Sequence, residues 1–213
     1  NPVKKVLYCQ IYYQIKMKFI NKKTIKLDKV LNELDKFVIR FIKILEKHTP
    51  YVIVSGYVAI LLGRNRGTDD IDIFVNELNK EKFNALYKDL KNNGYWCLNS
   101  DNISEMHSYL NEGLALRFAI KNQTTPNFEV KFARKRLDKE ALLDKISVII
   151  QNHKINISSL ERQIAFKKYY LKSDKDLEDA KHIETLFKEN LYLSRINEYK
   201  RLLHNEMAKT WKG

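Results

Sequence analysis

Asp70 and Asp72, one residue apart, open the run Asp70–Val75, in which Ile71, Ile73 and Val75 take the alternate positions. Alternation of this kind marks a strand with one buried face. Residues two apart on a strand project to the same side, roughly 7 Å apart along the axis. Two carboxylates so placed can lean together onto one cation, and hard oxygen ligands suit Mg²⁺. Without a cation they repel. By itself such a pair also suits an exposed strand face carrying two solvated acids, so the neighbouring residues matter. Upstream, Val54-Ser55-Gly56-Tyr57-Val58-Ala59 reads as a strand turning through Ser-Gly into a helix. Small residues at such a turn let the backbone approach a ligand, and helix-start N–H groups favour phosphate oxygens. Between the two elements, Gly63-Arg64-Asn65-Arg66-Gly67-Thr68 supplies cations and a hydroxyl. A phosphate cradle and a metal-binding acid pair joined by one short helix is what transfer of a nucleotide from a triphosphate to a hydroxyl requires.

In Asn127-Phe128-Glu129-Val130-Lys131-Phe132, Glu129 and Lys131 share one face and the apolar residues the other. On its own Glu129 suits an edge-strand acid paired with Lys131. Asp138 lies in a charged stretch that reads as a loop. The five histidines have no zinc-site spacing. There is no Gly-x-Ser-x-Gly elbow or Walker loop. Arg134-Lys135-Arg136, with the lysines at 16, 18, 22 and 23, suits either an RNA-facing surface or a solvated basic one.

These residues need elements to hold them. Three- and four-residue steps from Val30 to Leu45 predict one long amphipathic helix over Leu27 to Lys47, stopped by Pro50. Tyr51–Val54 is β-rich, and Tyr57–Leu62 a short helix. Helices are expected over 79–92 and 103–111, and strands over 95–98, 114–120 and 127–132. Ser147–Ile150 and Ile155–Ile157 suggest a small hairpin around Asn152-His153-Lys154. From Leu160 helical spacing takes over, interrupted near Lys172–Asp174 and around Asn190. The fold class is therefore α+β: a small mixed sheet flanked by helices, then a helical C-terminal part. The expected division is an N-terminal extension (1–23), a core (24–140) and a mainly helical domain (141–213). Met17 offers a second start, which would leave Asn1 to Lys16 as an extension.

A chain of 213 residues suffices for one buried core with a smaller appended unit. Lys and Arg number 39 against 26 Asp and Glu, a formal +13. That excess favours an anionic partner such as nucleic acid or nucleotide phosphates. Cys9 and Cys97 form no disulfide framework, so a reducing, cytoplasmic setting is expected. The most apolar run, Tyr51 to Gly63, is too short to span a bilayer, and no secretory signal is visible.

Ser55-Gly56 followed by Arg66-x-Thr68-x-Asp70-Ile71-Asp72-Ile73 resembles the signature of the DNA polymerase beta-like nucleotidyltransferase superfamily. Gln163-Ile164-Ala165-Phe166-Lys167 and Lys175-Asp176-Leu177-Glu178-Asp179-Ala180 are similar to later motifs of the abortive-infection (AbiE-type) nucleotidyltransferase toxins and their archaeal relatives. Ser55 stands where those toxins usually have a first Gly. The resemblance covers most of the chain from Val52 to Leu186. It implies Mg²⁺, or Mn²⁺, on Asp70 and Asp72, and a third carboxylate on a later strand, for which Glu129 is the candidate, as a metal ligand or a base toward the acceptor hydroxyl, and Asp138 the fallback. It implies nucleotide binding by Ser55, Gly56, Arg66 and Thr68, with Lys167 on the phosphates and Asp176 and Asp179 in the supporting network. The implied activity moves NMP from an NTP such as ATP to a hydroxyl acceptor (an RNA or tRNA 3′ end, a protein or a small molecule), releasing pyrophosphate. A toxin of this kind would pair with an antitoxin protein. The alternative is a catalytically silent nucleotide- or RNA-binding module of the same fold.

Overall fold

A computed structural model describes residues 16–210 of the chain, with side chains through residue 208. Cys9 and the first fifteen residues of the expected extension lie outside the described residues.

The first helix, α1 (Glu33–Leu45), starts at Asn32, whose side chain accepts from the Asp35 N–H while the Asp35 carboxylate accepts from the Asn32 N–H. Such a capping box defines a helix start, and it moves the beginning six residues beyond the expected Leu27. The residues before it form a hairpin, β1 (Lys16–Asn21) and β2 (Thr24–Asp28). In β2 the buried Ile25 and Leu27 alternate with exposed Lys26 and Asp28, a stretch too short to stand out beside the longer helical periodicity. Residues 16–21, expected in an extension, therefore lie in the sheet.

Next come β3 (Tyr51–Ile53), α2 (Gly56–Leu61), β4 (Asp70–Val75), α3 (Lys80–Asn92), β5 (Tyr95–Cys97), α4 (Ile103–Asn111), β6 (Leu116–Ile120) and β7 (Asn127–Phe132). Each matches a predicted element to within a few residues. The next helix, α5 (Arg136–Leu143), was not predicted. Its alternating charges disguise a stripe in which only Ala141 and Leu142 are buried, so Asp138 sits on a helix and not in a loop. The hairpin β8 (Ile146–Ile150) and β9 (His153–Ile157) turns at Gln151-Asn152, and His153 and Lys154 belong to its second strand.

The nine strands of the described residues form one sheet in the order β1-β2-β8-β9-β3-β4-β7-β6-β5. Pairs β2/β8, β3/β9 and β4/β7 are parallel and the rest antiparallel. The sheet thus runs past residue 140, and the helical part proper begins at α6 (Leu160–Phe166). After α6 come a π-helical turn (Lys167–Leu171), α7 (Asp174–Phe187), a 3₁₀ turn (Lys188–Asn190) and α8 (Leu193–Thr210). Left-handed Lys172 breaks the helix where an interruption was expected, and Ser173 caps α7.

The main core lies on one face of the sheet. Phe37 and Phe41 of α1 stack on Phe128 of β7 with ring centroids 4.4 and 3.8 Å apart. On the opposite face a smaller cluster, Val52, Ala133, Ala141 and Leu142 with Val54 and Phe74, fastens α5 over part of β3 and β4. The acidic end of β4 lies on this second face. Among the described residues no helix is long and apolar enough to cross a membrane.

Candidate functional site

Alternation in β4 sends Ile71, Ile73 and Val75 into the main core and leaves Asp70, Asp72 and Phe74 on the other face. The parallel pairing with β7 sets Asp70 beside Asn127, Asp72 beside Glu129 and Phe74 beside Lys131. Partners in register share a face, so the two aspartates, Glu129 and Lys131 form one polar patch across two central strands. Strand β7 lies between β4 and β6, which rules out the edge-strand alternative for Glu129.

Asp70 is exposed, and the Thr68 hydroxyl donates to its backbone oxygen at 3.0 Å and its carboxylate at 3.2 Å. Asp72 is partly buried, and its carboxyl is pushed above the ordinary aspartate value. Burial is the main cause; Lys131 opposes it, Asp70 and Glu129 add to it, and a hydrogen bond from Ser55 works against it. Lys131 Nζ lies 4.0 Å from Asp72 Oδ1. Ser55 stands between β3 and α2 with φ 63°, a left-handed conformation unusual for a non-glycine residue. Glu129 is already engaged: Arg117 Nε and Nη2 lie 2.8 and 2.7 Å from Oε1, and Lys131 Nζ is 3.7 Å from Oε2.

The residues expected to meet phosphate from the flanks are also paired. Arg66 donates from Nε to Asp179 Oδ1 at 3.1 Å, from Nη2 to Asp179 Oδ2 at 2.9 Å and from Nη1 to the Gly67 carbonyl at 2.9 Å. Its guanidinium lies against Gly56, where an added Cβ would come within 2.6 Å of Nη2. Lys167 is fully buried and donates to Asp176 at 3.2 Å and Asp179 at 2.9 Å. Burial opposes ionisation of Asp176, yet the Ser173 hydroxyl and Lys167 outweigh it and hold the carboxyl below its usual value. Asp179 thereby ties the loop before β4 to the π turn after α6.

A cleft of about 690 Å³ opens between the Asp72 face of the sheet, α5, α6, the π turn and α8. Ser55, Asp72 and Lys167 line it; Asp70, Gly56, Arg66, Thr68, Glu129 and Asp176 do not. Three lining residues, Lys131, Arg134 and Lys135, carry weight that the sequence reading did not give them, and Asp138, there only the fallback third acid, joins them. Lys131 had a signal, since alternation puts it on the face of Glu129. Arg134 and Lys135, read only as part of a basic surface, line the cleft, whereas Arg136 pairs with Glu140 at 2.7 Å. Asp138 lines it from α5, and nothing in its charged surroundings reveals this. The far wall is anchored through Asp144, whose Oδ2 accepts from Arg162 Nη2 at 3.1 Å and from the Tyr199 hydroxyl of α8.

Among the described residues no three histidine, cysteine or acidic side chains stand close enough together to hold a metal ion. Asp70 and Asp72, which share one face of β4, are the residues that would hold a Mg²⁺-sized ion, since such ions are commonly held by one or two carboxylates with substrate phosphates completing the shell. The charge state agrees: Asp72 feels Asp70 and Glu129 as unfavourable neighbours, and a divalent ion relieves that repulsion.

No protein-family model matches the chain, and no curated protein matches it in sequence. Solved structures do match in shape. The antibiotic-resistance factor ANT(2'')-Ia aligns with a TM-score of 0.52 at 15% identity, over 84% of this chain and 97% of its own. The lincosamide antibiotic adenylyltransferase LnuA, solved with lincomycin, aligns at 0.49 and 16% identity, over 74% and 99%. An antigenic nucleotidyltransferase-like protein from Paracoccidioides brasiliensis aligns at 0.49 and 19%, over 82% and 87%. The polar face of β4 and β7, with its cleft, is therefore carried on a fold shared with ANT(2'')-Ia.

Proposed function

We propose that the chain transfers NMP from an NTP to a hydroxyl acceptor and releases pyrophosphate. The observation that carries this reading is the meeting of Ser55 and Asp72 in a cleft to which Lys131, Arg134 and Lys135 bring positive charge. Asp70 and Asp72 would hold Mg²⁺ or Mn²⁺, with Glu129 beside them in register as the third acid. When bound, the ion withdraws charge from the α-phosphoryl group. The Ser55-Gly56 turn receives the triphosphate, and the lysines offset its negative charge. Arg66, Lys167, Asp176 and Asp179 keep that turn and the β4 loop in place from behind. Of the acceptors the resemblance implies, the basic charge of the chain favours RNA. The AbiE-type likeness adds a toxin role: expression should arrest growth, and a protein encoded beside it should relieve the arrest.

The test incubates the chain with each α-³²P-labelled NTP, Mg²⁺ and total RNA, beside an Asp70→Asn/Asp72→Asn double variant. Label should enter RNA, and the double variant should lose at least about 10³-fold of it, as expected when both carboxylate ligands of a catalytic ion are removed. Label that persists in the double variant would dismiss the assignment of these two residues. Absence of both transfer and Mg²⁺-dependent NTP binding would favour the silent module.

A further inference from the structure

Nucleotidyl transfer leaves one task unassigned: the acceptor hydroxyl must lose its proton as its oxygen attacks. A group for this task has to face the space where acceptor and α-phosphoryl group meet. Glu129 is poorly placed for it. Both N–H groups of the Arg117 fork point at its Oε1, Lys131 flanks Oε2, and it does not line the cleft.

Asp138 meets the requirement. It sits in the first turn of α5, lines the cleft together with Asp72, and is only partly buried. The hydrogen bond it accepts goes to Oδ2, from the Lys135 N–H at 3.1 Å. That bond fixes the carboxylate at the start of the helix. Lys131 bridges the two acids electrically, being the largest opposing influence on Asp72 and also acting on Asp138.

We propose that Asp138 is the general base, taking the acceptor proton in the cleft that it lines together with Asp72. The step balances as follows. The acceptor oxygen forms a bond to the α-phosphorus, and the bond from that phosphorus to the β-bridging oxygen breaks. Pyrophosphate departs with that electron pair, and the proton passes to Asp138. Water can replace the acceptor, giving NMP and pyrophosphate. The inference rests on the transferase reading above.

Burial raises the Asp138 carboxyl above its ordinary value, while the Lys135 N–H and the charges of Lys135, Lys131 and Arg162 pull the other way. Asp72 and Glu206 face the same cleft. A base must be ionised, so the rate should hold at high pH and fall as pH drops through the Asp138 value.

Asp138→Asn keeps an oxygen for the Lys135 N–H, so α5 should still be capped. Single-turnover formation of labelled product from α-³²P NTP, onto total RNA or water, is followed across pH for wild type, Asp138→Asn, Asp138→Glu and Glu129→Gln. Asp138→Asn should slow the step about 10²- to 10⁴-fold, the usual worth of a positioned base, and change the acid limb, leaving only the part that Asp72 sets. Mg²⁺-dependent NTP affinity should change less than about threefold, and Asp138→Glu should keep a displaced limb. An unchanged rate and limb in Asp138→Asn, with the limb lost in Glu129→Gln, would overturn the inference and leave the transferase intact. No labelled product from wild type, onto RNA or water, would overturn both.

Discussion

Gly56 shows how a single atom's absence shapes the site. The Arg66 guanidinium occupies the space a side chain would need, and its two bonds to Asp179 depend on reaching that place. Gly56→Ala should therefore displace Arg66 and cost about 1–3 kcal/mol, the usual range for overpacking. Urea unfolding would measure the loss, and NTP affinity should weaken with it because the Ser55 turn is disturbed. Stability equal to wild type would show that Arg66 has another way to sit. The sequence pointed to Gly56 for a different reason, close approach of phosphate to backbone. Only the packing shows that part of its role faces inward.

At the scale of elements, α7 holds the β4 loop through one buried network. Asp179 receives Arg66 from the loop and Lys167 from the π turn, and Asp176 shares Lys167. Removing one partner of a buried ion pair leaves an uncompensated charge, typically worth 3–5 kcal/mol. Asp179→Ala should fall in that range of about 3–5 kcal/mol by chemical denaturation. The network also predicts a pH dependence. The Asp176 carboxyl is held below its unfolded value, so its stabilising contribution is complete above about pH 4. It is lost as pH falls further through the folded value. Asp176→Asn should lower the unfolding midpoint at pH 7 and flatten the acid side of the stability profile; a parallel profile would remove Asp176 from the network. The resemblance singled out Lys167 for phosphate and Asp176 and Asp179 for its support, and the fold brings the three together as a buried ion cluster. Their partner, the Arg66 loop, lies more than a hundred residues away, beyond the reach of any local pattern.

Taken as a whole, the molecule forms its cleft by laying α6 and α8 over a face of the sheet that α5 only partly covers. Asp144 holds that arrangement, with Arg162 from α6 and Tyr199 from α8 converging on one carboxylate oxygen while the Arg162 guanidinium lies 4.5 Å over the Tyr199 ring. Asp144→Ala should cost roughly 3 kcal/mol, because Arg162 is almost fully buried. Tyr199→Phe should cost about 1 kcal/mol, a single hydrogen bond. Amide hydrogen exchange should quicken in α8 before it quickens in β4 and β7, and NTP affinity should weaken although Asp144 does not line the cleft. Uniform exchange across sheet and helices would refute this hinge.

The order of elements from α1 to β7, the faces of β4 and β7, and the helical character after Leu160 were all legible in the sequence. Those features rest on local periodicity, which a period of 2 or 3.6 writes directly into the chain. The paired acids and the Ser-Gly turn were legible for the same reason, since their spacing is a property of one strand and one turn. Short or charge-rich elements were not legible: the alternation of β1 and β2 is brief beside the helical periodicity that follows, and α5 buries only Ala141 and Leu142. Tertiary structure alone decided the partners. It set Glu129 against Arg117, buried Lys167 between two aspartates and drew Arg66 back onto Asp179. It also turned Asp138 from a loop acid into a wall of the cleft. Each depends on which strands pair in register and which helices cross the sheet, and such contacts join residues whose spacing along the chain carries no information about them.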